Sequence, residues 1–166
     1  MKVSNRKHLL HLSILILVGA TFVILAAVSV KSIPVNQQAF KIESESFIFS
    51  QLNFSIDVPS DYVIEEKYSL VILKSNVGEI AISNNGTNFE TIDQYLNDLG
   101  VKNHFSLTDK EDLVINSYPA AKLIIGKRVD YFIYATEWTV YTLSTDSEAL
   151  YDDLDQIARS FRYIPQ

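Results

Sequence analysis

Three histidines, His8, His11 and His104, supply all the imidazole for general-base or metal chemistry in this chain. His8 and His11 fall in an N-terminal basic and apolar stretch. His11 reads there as a polar residue flanking that stretch. His104, in Lys102-Asn103-His104-Phe105, reads as a surface loop residue that would have to recruit carboxylates by itself. Asp152, Asp153 and Asp155 invite a calcium reading. They lack the glycine and the twelfth-position glutamate of an EF-hand loop, and they fall on a predicted helix as a solvated acidic face. Glu65-Glu66 and Glu111-Asp112 are adjacent pairs. Neighbours on a strand point to opposite faces, so neither pair can share a substrate. Cysteine is absent, no G-x-S-x-G elbow occurs, no S-x-x-K stands in a setting for nucleophilic catalysis, and five glycines form no phosphate-cradling loop. The expectation is a chain that is not an enzyme, with no catalytic residue, no metal site and no cofactor.

What remains is aromatic. Tyr131, Phe132, Tyr134, Trp138 and Tyr141 crowd one segment. Strand alternation sends about half of them to each face. Tyr131, Tyr134, Trp138 and Tyr141 are therefore candidates for a binding surface on an otherwise acidic domain. The competing reading covers both faces of the sheet with helices and makes these rings core.

The elements that must position them follow from periodicity. Phe47–Phe49 is a short apolar run, and Phe54, Ile56 and Val58 alternate with Ser55 and Asp57 as in a half-buried strand. Pro59-Ser60-Asp61 reads as a turn. Leu70–Leu73 and Glu79–Ser83 are two further strands around Asn76-Val77-Gly78, and Asn84-Asn85-Gly86 breaks the pattern. Thr91 and Gln94 match a capping box, with Ile92, Tyr95, Leu96 and Leu99 on one helical face and Gly100 placed to end the helix. Leu113–Ile115, the turn Asn116-Ser117-Tyr118-Pro119 and Ala121–Ile125 come next. Val129–Ala135 and Trp138–Ser144 should pair as a hairpin across Thr136-Glu137. A last helix opens on a second capping box, Thr145 and Glu148, and buries Leu150, Leu154, Ile157 and Phe161. Short connections force antiparallel neighbours, and each helix has one apolar face to lay on the sheet. The expected class is α+β: an antiparallel sheet with helices packed on it.

Ahead of this domain, Leu9–Val30 is a run of 22 residues without Asp, Glu, Lys or Arg, preceded by Lys2, Arg6 and Lys7. As a helix rising about 1.5 Å per residue it matches a hydrocarbon core of about 30 Å. The cations place the N-terminus in the cytoplasm and the C-terminal domain outside. The reading is a basic cytoplasmic N-terminus (1–8), a transmembrane signal-anchor (9–30), a spacer (31–46) and an extracytoplasmic domain (47–166). Ala27-Val28-Ser29 also offers a small-x-small cleavage match, so a secreted domain after signal removal is the alternative. All 20 acids lie beyond residue 30, where the balance is −9. Such a surface repels phosphate backbones, which argues against nucleic acid. Asn53-Phe54-Ser55 and Asn85-Gly86-Thr87 fit the N-glycosylation pattern, but Asn85-Gly86 reads better as a turn.

The order of motifs resembles the PsbP-like domain superfamily. Phe54-Ser55-Ile56-Asp57-Val58-Pro59-Ser60-Asp61-Tyr62 resembles its F-S-I-x-x-P-x-x-W opening. Thr91-Ile92-Asp93-Gln94-Tyr95-Leu96 is similar to its T-L-E-E-Y-L helix start, and Ile115-Asn116-Ser117-Tyr118-Pro119-Ala120-Ala121 to its I-x-G-x-P-A hairpin. Trp138–Leu143 and Ile157–Phe161 resemble its closing strand and helix. Tyr62 stands where tryptophan is usual, and Ser117 where glycine is usual. The resemblance spans residues 47–164. It implies an α/β/α sandwich in a membrane-anchored bacterial member, and non-catalytic roles: partner binding, assembly support or, in some members, lipid binding. It transfers no active site. The functional expectation is a tethered protein-interaction or assembly module with a protein partner. The alternatives are a carrier or sensor of a small apolar ligand or lipid and, behind it, a hydrolase.

Overall fold

The computed structural model describes residues 43–165. The predicted N-terminus, signal-anchor and most of the spacer lie outside the described residues. Among the described residues no helix is long and apolar enough to cross a membrane.

Among the described residues ten strands and two helices follow in the order β1 (Ser44–Phe49), β2 (Phe54–Pro59), β3 (Val63–Lys67), β4 (Leu70–Ser75), β5 (Gly78–Gly86), α1 (Ile92–Asn103), β6 (Lys110–Ile115), β7 (Tyr118–Ile125), β8 (Arg128–Thr136), β9 (Thr139–Thr145), α2 (Tyr151–Ser160) and β10 (Arg162–Tyr163). They form two antiparallel sheets. One has seven strands in the order β3-β4-β5-β9-β8-β7-β6, and the other has three in the order β1-β2-β10. The expected α+β class therefore holds, with the correction that the sheet is two sheets. α1 packs on one face of the seven-stranded sheet. α2 and the small sheet pack on the other.

Alternation explains both faces. Tyr131, Ile133, Tyr141, Leu143, Ile80 and Ile82 point under α2 and meet Leu154, Ile157 and Phe161 in the larger core. Phe54, Phe161 and Tyr141 stack there, with centroids 5.6 Å apart for Phe54–Phe161 and 4.9 Å for Tyr141–Phe161. The intervening residues Ala121, Leu123, Phe132 and Val140 meet Ile92 and Leu96 of α1.

Several expected boundaries move. β1 starts at Ser44, inside the predicted spacer. β3 was not anticipated, because as an edge strand it has an exposed Val63 and no apolar alternation. β5 runs through Asn84-Asn85-Gly86, because Asn84 pairs with Tyr141 and Gly86 with Thr139. Gly100 does not end α1. It is buried inside the helix, and the left-handed residue is His104 at φ 57°, beyond Asn103. The first capping box is half present. Thr91 Oγ1 accepts from Gln94 N–H at 3.3 Å, while Gln94 Oε1 accepts from Glu90 N–H at 3.0 Å. The second is absent. Thr145 ends β9, its hydroxyl donates to Glu79 O, and a single 3-10 turn at Glu148–Leu150 separates it from α2. The β8–β9 hairpin forms as expected, with Glu137-Trp138 at its turn and a register shift between Tyr134 and Thr136.

Candidate functional site

The four candidate aromatics do not form one surface. Tyr131 and Tyr141 are 1% exposed and point into the larger core, because alternation places them under α2. Tyr141 donates to Leu52 O, and burial pushes its hydroxyl pKa up to about 12. Tyr134 points the other way and is half-buried, donating to Phe89 O at 2.6 Å. Trp138 alone is largely exposed, at 62%, and its indole N–H donates to Glu137 Oε1 at 2.8 Å.

The helical acids are not a freely solvated face either. Asp153 accepts from the Tyr62 hydroxyl at 2.7 Å. Asp155 accepts from Tyr131 and from Arg159, whose guanidinium first of all holds the Asp155 carboxyl below the usual range. The Tyr131 bond ties α2 to β8, the Tyr62 bond ties it to the β2–β3 connection, and the Arg159 bond lies within the helix. His104 is exposed at its helix cap, with no side-chain hydrogen bond among the described residues. No three His, Asp or Glu side chains among the described residues stand close enough to hold a metal ion.

What the sequence did not announce lies beside α1. This helix covers β7 and β8, with Val140 of β9 at its margin. The same face of β5, β4 and β3 carries no helix among the described residues. The register places Ala81 beside Ser144, and Ser83 beside Thr142, on that face. Small side chains here leave a depression beside α1, over β5, β9 and β8. It is a groove of about 400 Å³, continued by a second depression of about 290 Å³ that shares Ser83 and Arg128.

Its two sides differ in chemistry. Tyr95 and Leu99 of α1, Phe105 behind the helix cap, and Ile125 and Phe132 of the sheet give an apolar wall. The Tyr95 and Phe132 rings lie 6.3 Å apart at 60°. Ser83, Asn85 and Thr142 give a polar floor, where the Asn85 amide donates to Thr142 Oγ1 at 3.4 Å. At one end Arg128 and Asp130, two residues apart on β8, share the face. Arg128 Nε donates to Asp130 Oδ1 at 2.8 Å.

Asp130 is 3% exposed. Burial pushes its carboxyl above the usual range, the Arg128 guanidinium pulls it back, and Asp146 adds to the rise. Its second oxygen and the two terminal nitrogens of Arg128 make no hydrogen bond among the described residues. The Tyr95 hydroxyl likewise has no partner there, and burial, with Asp98 behind it, raises its pKa. The available signal was a lone acid inside the apolar run Val129-Asp130-Tyr131-Phe132-Ile133, with an arginine two residues before it. Such a residue in a strand demands an explanation.

No family model matches the chain, and no curated protein matches it. Solved structures do. A crystal structure from Bacteroides thetaiotaomicron VPI-5482 is similar over 74% of this chain, at 15% identity and a TM-score of 0.51. This chain covers 49% of that one, about half its length. The solution structure of cyanobacterial PsbP (CyanoP) from Synechocystis sp. PCC 6803 aligns over 74% of this chain and 93% of its own, at 13% identity and a TM-score of 0.46. Similarity at such identities concerns the fold alone.

Proposed function

We propose that this chain is a PsbP-like, non-catalytic binding module, held outside the cytoplasm by residues 9–30, that recognises another molecule through the half-covered face of its large sheet. The observation that supports this best is the asymmetry of cover. α2 and a second sheet enclose one face, whereas α1 covers two strands of the other and leaves a groove with unpartnered polar atoms. In an interaction or assembly role, a protein partner docks there. A photo-crosslinking residue at Ala81, on the uncovered half, should give a discrete adduct in intact cells. The same residue at Val101, which is 77% exposed on the outer side of α1, should give none. Equal labelling from both positions, or protection of the domain from protease added to intact cells, contradicts the proposal.

The groove favours a second reading, a carrier or sensor of a small ligand. Pockets of roughly 300–1,000 Å³ with mostly apolar walls and a few convergent polar groups are the usual form of small-molecule sites. This groove has that size and that division of chemistry.

A further inference from the structure

The unpartnered atoms of the groove form a pattern of their own. Asp130 is nearly inaccessible, yet it is spent on one hydrogen bond through one oxygen. No buried side-chain oxygen among the described residues lacks a partner, so the second Asp130 oxygen, which has none, is reached from the groove and is available to a ligand donor. Arg128 uses Nε on Asp130, which leaves its two terminal nitrogens as a fork suited to a carboxylate. An acceptor for a cation and a fork for an anion thus stand side by side, with a net charge of zero between them. A simple amine meets Arg128 unfavourably, and a simple acid meets Asp130 unfavourably. A molecule that carries both charges a few ångströms apart satisfies both. Tyr95, Leu99 and Phe132 then offer apolar contact to whatever projects from it.

We infer that the groove beside α1 binds the zwitterion of a free α-amino acid, ammonium on Asp130 and carboxylate on Arg128, with an apolar or aromatic side chain along Tyr95 and Phe132. The cavity of about 400 Å³ accommodates such a molecule with its bridging water. The inference rests on the small-ligand reading of the groove, and it replaces a purely apolar ligand by a doubly charged head on an apolar body.

The test is calorimetric titration of the full chain in detergent micelles with L-leucine and L-phenylalanine. Saturable binding is expected below about 1 mM. N-acetyl-phenylalanine, which lacks the ammonium, and phenylalanine amide, which lacks the carboxylate, should each bind at least about tenfold more weakly, a loss of about 1.4 kcal/mol. D130N and R128Q should show the same loss, and a preserved far-ultraviolet spectrum identifies each as folded. Binding of either analogue as tight as that of phenylalanine overturns the inference, as does absence of binding by any amino acid at about 10 mM. A titration with an apolar fluorescent dye separates the two levels. Dye bound and displaced by fatty acid or sugar but not by amino acids sinks the amino-acid inference and keeps the ligand site. No dye and no ligand sinks both.

Discussion

Asp130 is the residue whose presence the fold does not explain. It sits on the α1 face between Leu123 of β7 and Ser144 of β9, where an apolar side chain of similar size would pack without charge. Because burial raises its folded pKa, the folded chain holds that proton to higher pH than the unfolded chain does. Stability contributed by the protonated form is therefore lost as pH rises from about 4 through the folded value. Asp130→Asn keeps an acceptor for Arg128 and removes the ionisation. It should melt no lower than the parent at pH 7, and the difference should shrink as the pH falls below about 4. A marked drop in the melting temperature of the variant at pH 7 would show that the ion pair holds the fold rather than waiting for a ligand. A residue that costs stability and lines a groove is a candidate for function on physical grounds.

At the level of elements, the β6–β7 hairpin shows what a local departure does. Asn116 and Ser117 are both left-handed, at φ 46° and 76°, as a two-residue turn with the twist of its strands requires. Asn116 compensates by donating its amide to Arg159 O and Phe161 O, which ties the turn to the end of α2. Ser117 has no such bond, so its side chain carries the cost of a left-handed backbone without return. Ser117→Gly should stabilise the chain by about 0.5–1 kcal/mol, read from chemical denaturation, while no change or a loss would mean the turn is set by tertiary contacts instead. The same turn explains what was legible in the sequence. Apolar periodicity located β2, the β8–β9 hairpin and the buried stripe of α2 through Leu154, Ile157 and Phe161, because burial on one face imposes a period. It missed β3, whose edge position removes that constraint, and the start of α2, where Thr145 serves the β5–β9 junction rather than a helix cap.

For the whole molecule, sequence periodicity shows that helices have faces but not how much of the sheet each covers. The groove arises because α1 sits over β7 and β8 while β5 and β9 carry small or polar residues on that face. That is a consequence of strand order, and strand order is not readable from Ala81, Ser83 or Ser144 alone. The aromatic hairpin drew attention for its composition, yet two of its four candidate rings hold the core and a third is bonded to a loop. The groove proposed as the binding face lies beside α1 on the opposite side of the sheet from Tyr131 and Tyr141. The most direct test is hydroxyl-radical footprinting of the full chain in intact cells against the purified chain in micelles. Tyr95, Leu99 and Phe105 should be oxidised less in the cells, while Val101 and Ile48, exposed away from the groove, should be oxidised equally in both. Uniform oxidation at all five positions would contradict a binding face beside α1.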